Sequence, residues 1–384
     1  MKNLGIYIHI PFCIKKCLYC DFVSYENCNE VLIEKYLENL INEIEIKEDK
    51  LKENNILEKE ERLENYKVNT IYIGGGTPSY IDSKYIVKLI NILREKYNIE
   101  ENCEITIEVN PGTVIKEKIE DYKKIGINRI SIGLQETNNN ILKTIGRIHT
   151  YEKFLETYNL VKESGFENIN VDLMIGLPTQ TMKDVENSLN KIIKLDPKHI
   201  SIYSLILEEG TKLEKLISKN ELILPEEDIE RKMYWKVKKV LEKNGYNQYE
   251  ISNFAKKTHE SKHNLNCWNQ EEYIGFGAAA HSYLNNIRFQ NDEDLREYEK
   301  SNIIINEKQN KQDKMNEYMI LGLRKIEGVN ISDFKSKFIE NPIFVYRSQL
   351  NKLVKQKLIE ITENNIKLTK KGLDFANIVW EEFI

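Results

Sequence analysis

Leu4-Gly-Ile-Tyr-Ile-His-Ile-Pro-Phe-Cys13-Ile-Lys-Lys-Cys17-Leu-Tyr-Cys20 sets a β-branched run against a proline and follows it with three thiols spaced four and three residues apart. Leu4–Ile10 predicts a buried strand that Pro11 ends. Soft thiolates on the short loop beyond it suit three irons of a cubane cluster. The fourth iron then has no near protein ligand and stays open to a small molecule. Two other readings fit the spacing: one face of a helix carrying buried core cysteines, or three ligands of a zinc site completed by His9 or Cys28. Lys15, Lys16 and Tyr19 do not make an apolar face, which argues against core cysteines.

Outward from this stretch, short β-branched runs alternate with amphipathic segments, the pattern of a parallel α/β sheet. The strand candidates are 4–10, 68–73, 104–109, 129–134, 168–175 and 199–205. Helical patterns at 30–46, 83–97, 150–164 and 182–195 lie between them, closed by Gly126, Gly165 or Pro197. Six β/α units fit residues 1–207, and this predicts an incomplete (β/α)6 barrel. The charge run 47–67 reads as a solvated helix extension or loop. Residues 208–291 form a mixed extension with one further helix at 228–244, and 292–314, poor in apolar residues, reads as a linker. Residues 315–384 show helical patterns and a short β-like pair, the outline of a small winged-helix-like helical domain, read as a structural cap.

The chain has 384 residues, enough for two or three cores, and 41% hydrophobic with 30% charged residues excludes intrinsic disorder. Lys+Arg 56 against Asp+Glu 61 creates no global attraction for nucleic acid, and no nucleic-acid partner is expected. The first residues resemble neither a signal nor a transit peptide, and no apolar run reaches about 18 residues. The expectation is a cytoplasmic protein, peripheral at a membrane at most. Six cysteines, three of them within residues 13–20, point to metal rather than to a disulfide framework. Cys28 and Cys103 are read as free thiols.

Several strand ends carry polar groups suited to a ligand. Gly74-Gly-Gly76-Thr77-Pro78 follows the second strand, where residues without Cβ let the backbone approach a bound molecule. Glu108 and Gln135 end the third and fourth strands, Arg147 sits in Gly146-Arg-Ile-His149, and Asp172 interrupts an apolar run where a carboxylate needs a partner. A structural ion pair or cap is the alternative for each of these four.

Tyr7-Ile-His-Ile-Pro-Phe-Cys13-x3-Cys17-x-Tyr19-Cys20 resembles the radical S-adenosylmethionine superfamily. The later blocks resemble, along the whole chain, the heme-chaperone branch (HemW) of the oxygen-independent coproporphyrinogen oxidase group. The resemblance implies a [4Fe–4S] cluster on Cys13, Cys17 and Cys20 whose open iron is chelated by S-adenosylmethionine. It also implies nucleoside contacts from Tyr7, Tyr19, Gly75, Gly76, Thr77, Glu108, Gln135, Arg147, Asp172 and, on a looser match, Ile206. The oxidase itself carries a longer arm before the cluster and a fourth cysteine two residues after the third. Here twelve residues precede Cys13, and Phe22 takes the fourth cysteine's place.

His263-Asn-Leu-Asn-Cys267-Trp268 resembles the chaperone branch's His-Asn-x-x-Tyr-Trp heme motif, with Cys267 where Tyr is usual. His263 is the candidate axial ligand of heme iron, Cys267 the other, and Trp268 offers a flat face to the macrocycle. A lone histidine before a tryptophan is also compatible with plain surface packing. His281 is a lesser candidate. The implied function is a heme chaperone passing heme to membrane-associated acceptors such as respiratory cytochromes, as a monomer or a heme-linked dimer. The alternative from the same resemblance is an oxygen-independent coproporphyrinogen III oxidase, and a third reading is a zinc-binding module.

Overall fold

The computed structural model describes residues 2–300 and 302–384; Met1 and Ser301 lie outside the described residues. Strands β1 (Asn3–Ile10), β2 (Lys67–Gly75), β3 (Asn98–Val109), β4 (Arg129–Gln135), β5 (Asn168–Ile175) and β6 (His199–Ser204) lie side by side in chain order, each parallel to the next. Their Ile, Val and Leu side chains are buried on both faces, as parallel strands covered by helices require. Met182–Leu195 shows how a covering helix is placed. Thr181 and Asp184 close a capping box at its start, Val185, Leu189 and Ile192 face the sheet, and Asp196 ends it in the left-handed region.

The β/α arc is open, because β1 and β6 each pair onward with the extension. Tyr273–Phe276 adds parallel to β1, followed by antiparallel strands at 281–284, 287–291 and 303–308, while Asn253–Ala255 adds antiparallel to β6. Residues 208–291 therefore share the barrel's core, to which Phe254, Ile274, Phe276, Leu284 and Phe289 contribute. A second core, around Met319, Phe334, Leu353 and Ile366, belongs to the C-terminal domain. There helices at 311–322, 331–338 and 347–355 pack on a three-stranded antiparallel sheet.

Two segments depart from the sequence expectation. The stretch 292–314 is no free linker: Leu295–Tyr298 is helical, and Ile303–Lys308 pairs with Ile287–Asn291. It is an edge strand held by backbone bonds; its short Ile303-Ile-Ile run is set among polar residues and its side chains are mostly exposed, so the stretch as a whole reads as a linker. The charge run beginning at Lys47 does extend the first helix, to Glu53, but it is not wholly solvated, since Lys47 and Leu51 are buried.

Lys47 Nζ donates to Glu43 at 2.7 Å, and Glu43 also accepts from the Tyr298 hydroxyl at 2.7 Å, Asn291 Nδ2 at 2.7 Å and Gly277 N at 2.9 Å. A buried carboxylate with these partners ties the first helix to the far edge of the sheet. Lys47→Met leaves that charge uncompensated and should destabilise the fold by about 3–5 kcal/mol in urea unfolding. A loss under about 1 kcal/mol would show that the pair is not a structural tie.

Candidate functional site

The cysteine loop is held over the strand ends by backbone contacts made before any side chain acts. Phe12–Cys13 pairs in parallel with Tyr25–Glu26, closing the loop into a hoop. Leu18 N donates to Ile145 O at 3.1 Å, and Leu213 N donates to Leu18 O at 2.8 Å. Gly76 N donates to Ile10 O at 2.9 Å, and a Cβ on Gly76 would stand 2.9 Å from the backbone of Pro11 and Phe12. Gly75, at φ +111°, would drive a Cβ into the His9 ring. The glycines are thus required by close approach, not only by the turn.

Under this loop lies a cavity of about 360 Å³. Cys13, Cys17 and Cys20 face it from the loop, Gly75, Gly76 and Thr77 from the turn after β2, and Tyr19, Glu108, Gln135, Arg147 and Asp172 from the sides and floor. Thr77 Oγ1 donates to Cys13 Sγ at 3.4 Å and Arg147 Nη1 to Cys17 Sγ at 3.5 Å, so two of the sulfurs already receive the donors a thiolate wants. Burial pushes the Cys13 and Cys20 thiols up, a tendency that a bound metal removes by taking the sulfur as thiolate. Among the described residues no group of three or more His, Cys, Asp or Glu side chains gathers about a single metal ion. A cubane places each thiolate on a separate iron and needs no such gathering.

The cavity is electrically divided. Arg147 Nη2 donates to Asn110 Oδ1 at 3.2 Å and to Gly133 O, setting a guanidinium beside the cysteines. Deeper in stand two carboxyls. Burial pushes Glu108 up to about 7, against the opposing effect of the Tyr72 hydroxyl that donates to it at 2.8 Å. Burial likewise raises Asp172, which accepts from Asn170 Nδ2 at 2.7 Å and Ser131 Oγ at 3.2 Å. Such a pocket suits a ligand carrying both a cation and hydroxyl donors.

A second cavity, of about 410 Å³, opens on the other side of the loop. His263, Cys267, Tyr7, His9, Tyr273 and His281 line it, and Phe22, 66% exposed, borders both cavities. His263 is buried, its Nδ1 is 3.0 Å from Thr70 Oγ1, and its ring stacks on Tyr72 with centroids 5.2 Å apart. Nε2 has no hydrogen bond among the described residues. Burial, then the charge of Arg129, brings the imidazole down to about 4, so it is neutral at pH 7. Burial raises the Cys267 thiol to about 11.

Residues 7–192 match the radical SAM superfamily, and residues 309–375 match the HemN C-terminal domain. A Lactococcus lactis protein named heme chaperone HemW is 38% identical over 387 residues, covering 100% of this chain and 98% of that protein. The Chain belongs to the HemW family. A Bacillus subtilis protein of the same name is 36% identical, with 98% of each chain covered. The coproporphyrinogen III oxidase HemN from Escherichia coli superposes with TM-score 0.84 at 22% identity over 100% of this chain and 90% of that one, a likeness of fold.

In this HemW-family chain most of the site residues expected from sequence converge, but three lie elsewhere. Tyr7 faces the second cavity, with its hydroxyl 2.9 Å from His9 Nδ1. Ile206 is 68% exposed, because β6 ends at Ser204 and the chain leaves the sheet; Tyr203 lines the first cavity instead. Trp268 does not line the second cavity. One of its faces lies under the Arg324 guanidinium, 4.4 Å from the ring centroid. On a helix, Trp268 cannot share the direction of its neighbour Cys267. Sequence reading missed Asn110, whose Nδ2 donates to Thr77 Oγ1 at 2.7 Å while Oδ1 accepts from Arg147. The Asn-Pro step closing β3 was its only signal. His9, whose Nε2 lies 2.8 Å from Val23 O in the wall of the second cavity, carries no signal in the sequence beyond that of a spare metal ligand.

Below the site, His199 Nδ1 lies 2.6 Å from Asn170 Oδ1 and Nε2 lies 2.8 Å from the Tyr249 hydroxyl. Burial, then Arg129, holds His199 well below its usual range. The unfolded chain takes up a proton near pH 6.5 that the fold refuses, so stability is complete above about pH 6.5 and is lost as pH falls below it. The urea midpoint of the metal-free protein should therefore drop between pH 7.5 and 5, and His199→Gln should lessen that slope in part, the remainder belonging to buried His263 and His149, which are lowered too. An equal slope in the variant would assign the acid sensitivity elsewhere.

Proposed function

We propose that this chain is a heme chaperone that carries a [4Fe–4S] cluster with S-adenosylmethionine in one cavity and heme in the other, and hands the heme to acceptor proteins. The observation that supports this most is the pair of adjacent cavities with different chemistry, divided by the cysteine loop and Phe22. Cys13, Cys17 and Cys20 would hold the cluster, which when bound supplies an iron open to a small molecule. Arg147 would meet the carboxylate of the nucleoside's methionine part, the Gly75–Thr77 backbone and Glu108 its ammonium, and Gln135 and Asp172 its ribose hydroxyls. Glu108 then sheds its proton, because a cation beside a buried carboxyl favours the ionised form.

On the heme side His263 is the better ligand. Thr70 engages Nδ1, which fixes the ring and leaves the Nε2 lone pair for iron, whereas Cys267 must first lose a proton. Phe22 and Tyr273 supply apolar surface for a macrocycle where Trp268 does not. The acceptors fitting a chaperone of this family are membrane-associated cytochromes. Among the described residues no helix is long and apolar enough to cross a membrane, so contact with such acceptors would be peripheral.

The test is a heme titration followed by absorption spectroscopy. Wild-type protein should bind one heme per chain, Cys17→Ala should lose the brown cluster absorption yet keep heme, and His263→Ala should weaken heme binding at least about tenfold, the scale of one lost iron ligand. Unchanged binding in His263→Ala would move the ligand to Cys267. In parallel, reconstituted protein incubated anaerobically with S-adenosylmethionine, a low-potential reductant and coproporphyrinogen III should give no decarboxylated product. Product above a control lacking S-adenosylmethionine would make the oxidase reading primary.

A further inference from the structure

The short helix Lys262–Trp268, which carries His263 and Cys267, is suspended between two bodies. At its start the barrel holds it: Glu104 on β3 accepts from Lys262 N and His263 N, each at 3.1 Å, and Asn266 Nδ2 donates to Asn69 Oδ1 at 2.9 Å. At its end the C-terminal domain holds it. Lys337 Nζ donates to Asn269 O at 3.3 Å and Gln270 O at 3.1 Å, and Lys325 Nζ donates to Asn269 Oδ1. Gln270 Nε2 donates back to Lys314 O at 3.1 Å and Glu317 Oε2 at 2.8 Å. Arg324 lies between the rings of Trp268 and Trp380, 4.4 and 5.0 Å from their centroids.

Two ammonium groups stand at the carbonyl end of the helix, where its dipole is negative, and bond to Asn269 and Gln270 just beyond its last residue. Both come from the C-terminal domain, which has its own core and contributes no residue to the lining of either cavity. We propose that Lys325 and Lys337 are positioning residues for the heme site: through Asn269 and Gln270 they fix the end of the helix that turns Cys267 and His263 toward the second cavity. This rests on the heme reading above. It gives the C-terminal domain a role at the heme cavity and none at the cysteine cavity, so displacement of that domain by a docking partner would loosen heme and leave the cluster in place.

The experiment compares full-length, cluster-reconstituted wild-type protein with Lys337→Met, Lys325→Met/Lys337→Met and Lys337→Arg, titrated with heme. Iron, sulfide and S-adenosylmethionine binding are measured on the same samples. Lys337 lies on the surface, so the single variant keeps both cores and carries the test where the double variant fails to fold. The double variant should bind heme at least about fivefold more weakly, with a shifted Soret band. The single variant should fall between it and wild type, Lys337→Arg should recover most of the affinity, and cluster content and S-adenosylmethionine binding should not change. Lys311→Ala, which breaks an exposed pair with Glu340 in the same domain, should behave as wild type. Unchanged heme affinity and spectrum in folded Lys337→Met, or loss of cluster in step with heme, would overturn the proposal. Wild-type protein that binds no heme would overturn the function reading itself.

Discussion

The close approach of the Gly76 backbone to Pro11 and Phe12 is the constraint on which the rest of the site depends. With Gly76 N bonded to Ile10 O at 2.9 Å and no room for a Cβ, the end of β1 and the turn after β2 meet main chain to main chain. The cysteine loop then has one place to go. It arches over the carboxyl ends of the strands, where an open α/β sheet leaves its crevice, and Leu18 and Glu26 tie its far side to segments 145 and 212. A side chain at Gly76 would lift the loop and part Cys13 from Thr77 and Cys17 from Arg147 together.

From that placement follows the division into two cavities. The loop returns past Val23, whose carbonyl holds His9, and Phe22 is left projecting between them. Tyr72 is the other bridge, since its hydroxyl serves Glu108 in the first cavity while its ring stacks on His263 of the second. Each cavity keeps groups whose proton affinity burial has shifted toward the neutral form: Glu108 and Asp172 on one side, His263 and Cys267 on the other. Such groups are held in readiness for a ligand that supplies the missing charge or takes the lone pair.

The sequence carried the parts whose meaning is local. The Cys13, Cys17 and Cys20 spacing, the glycines before Thr77 and the polar residues at strand ends could be read because strand, turn and loop chemistry act within a few residues. Directions and tertiary partners could not. Trp268 and Cys267 are adjacent in one motif but face different bodies, Ile206 falls two residues beyond the strand end that would have aimed it, and Lys47 is buried where Asn291 and Tyr298 reach Glu43 from the far edge of the sheet. The edge strand 303–308 carries a short β-branched run, Ile303-Ile-Ile, but whether that run pairs depends on the backbone of Ile287–Asn291, which the local pattern does not reveal.

The claim that two neighbouring cavities hold two different cofactors is tested most directly by joint occupancy. Cluster-reconstituted protein would be titrated with heme in the absence and in the presence of saturating S-adenosylmethionine, with iron, sulfide, bound heme and bound nucleoside counted on one sample. The account predicts one cluster, one nucleoside and one heme on the same chain, with heme binding neither abolished by S-adenosylmethionine nor accompanied by loss of sulfide. Heme that displaces the nucleoside, or that binds only as the cluster is lost, would contradict it.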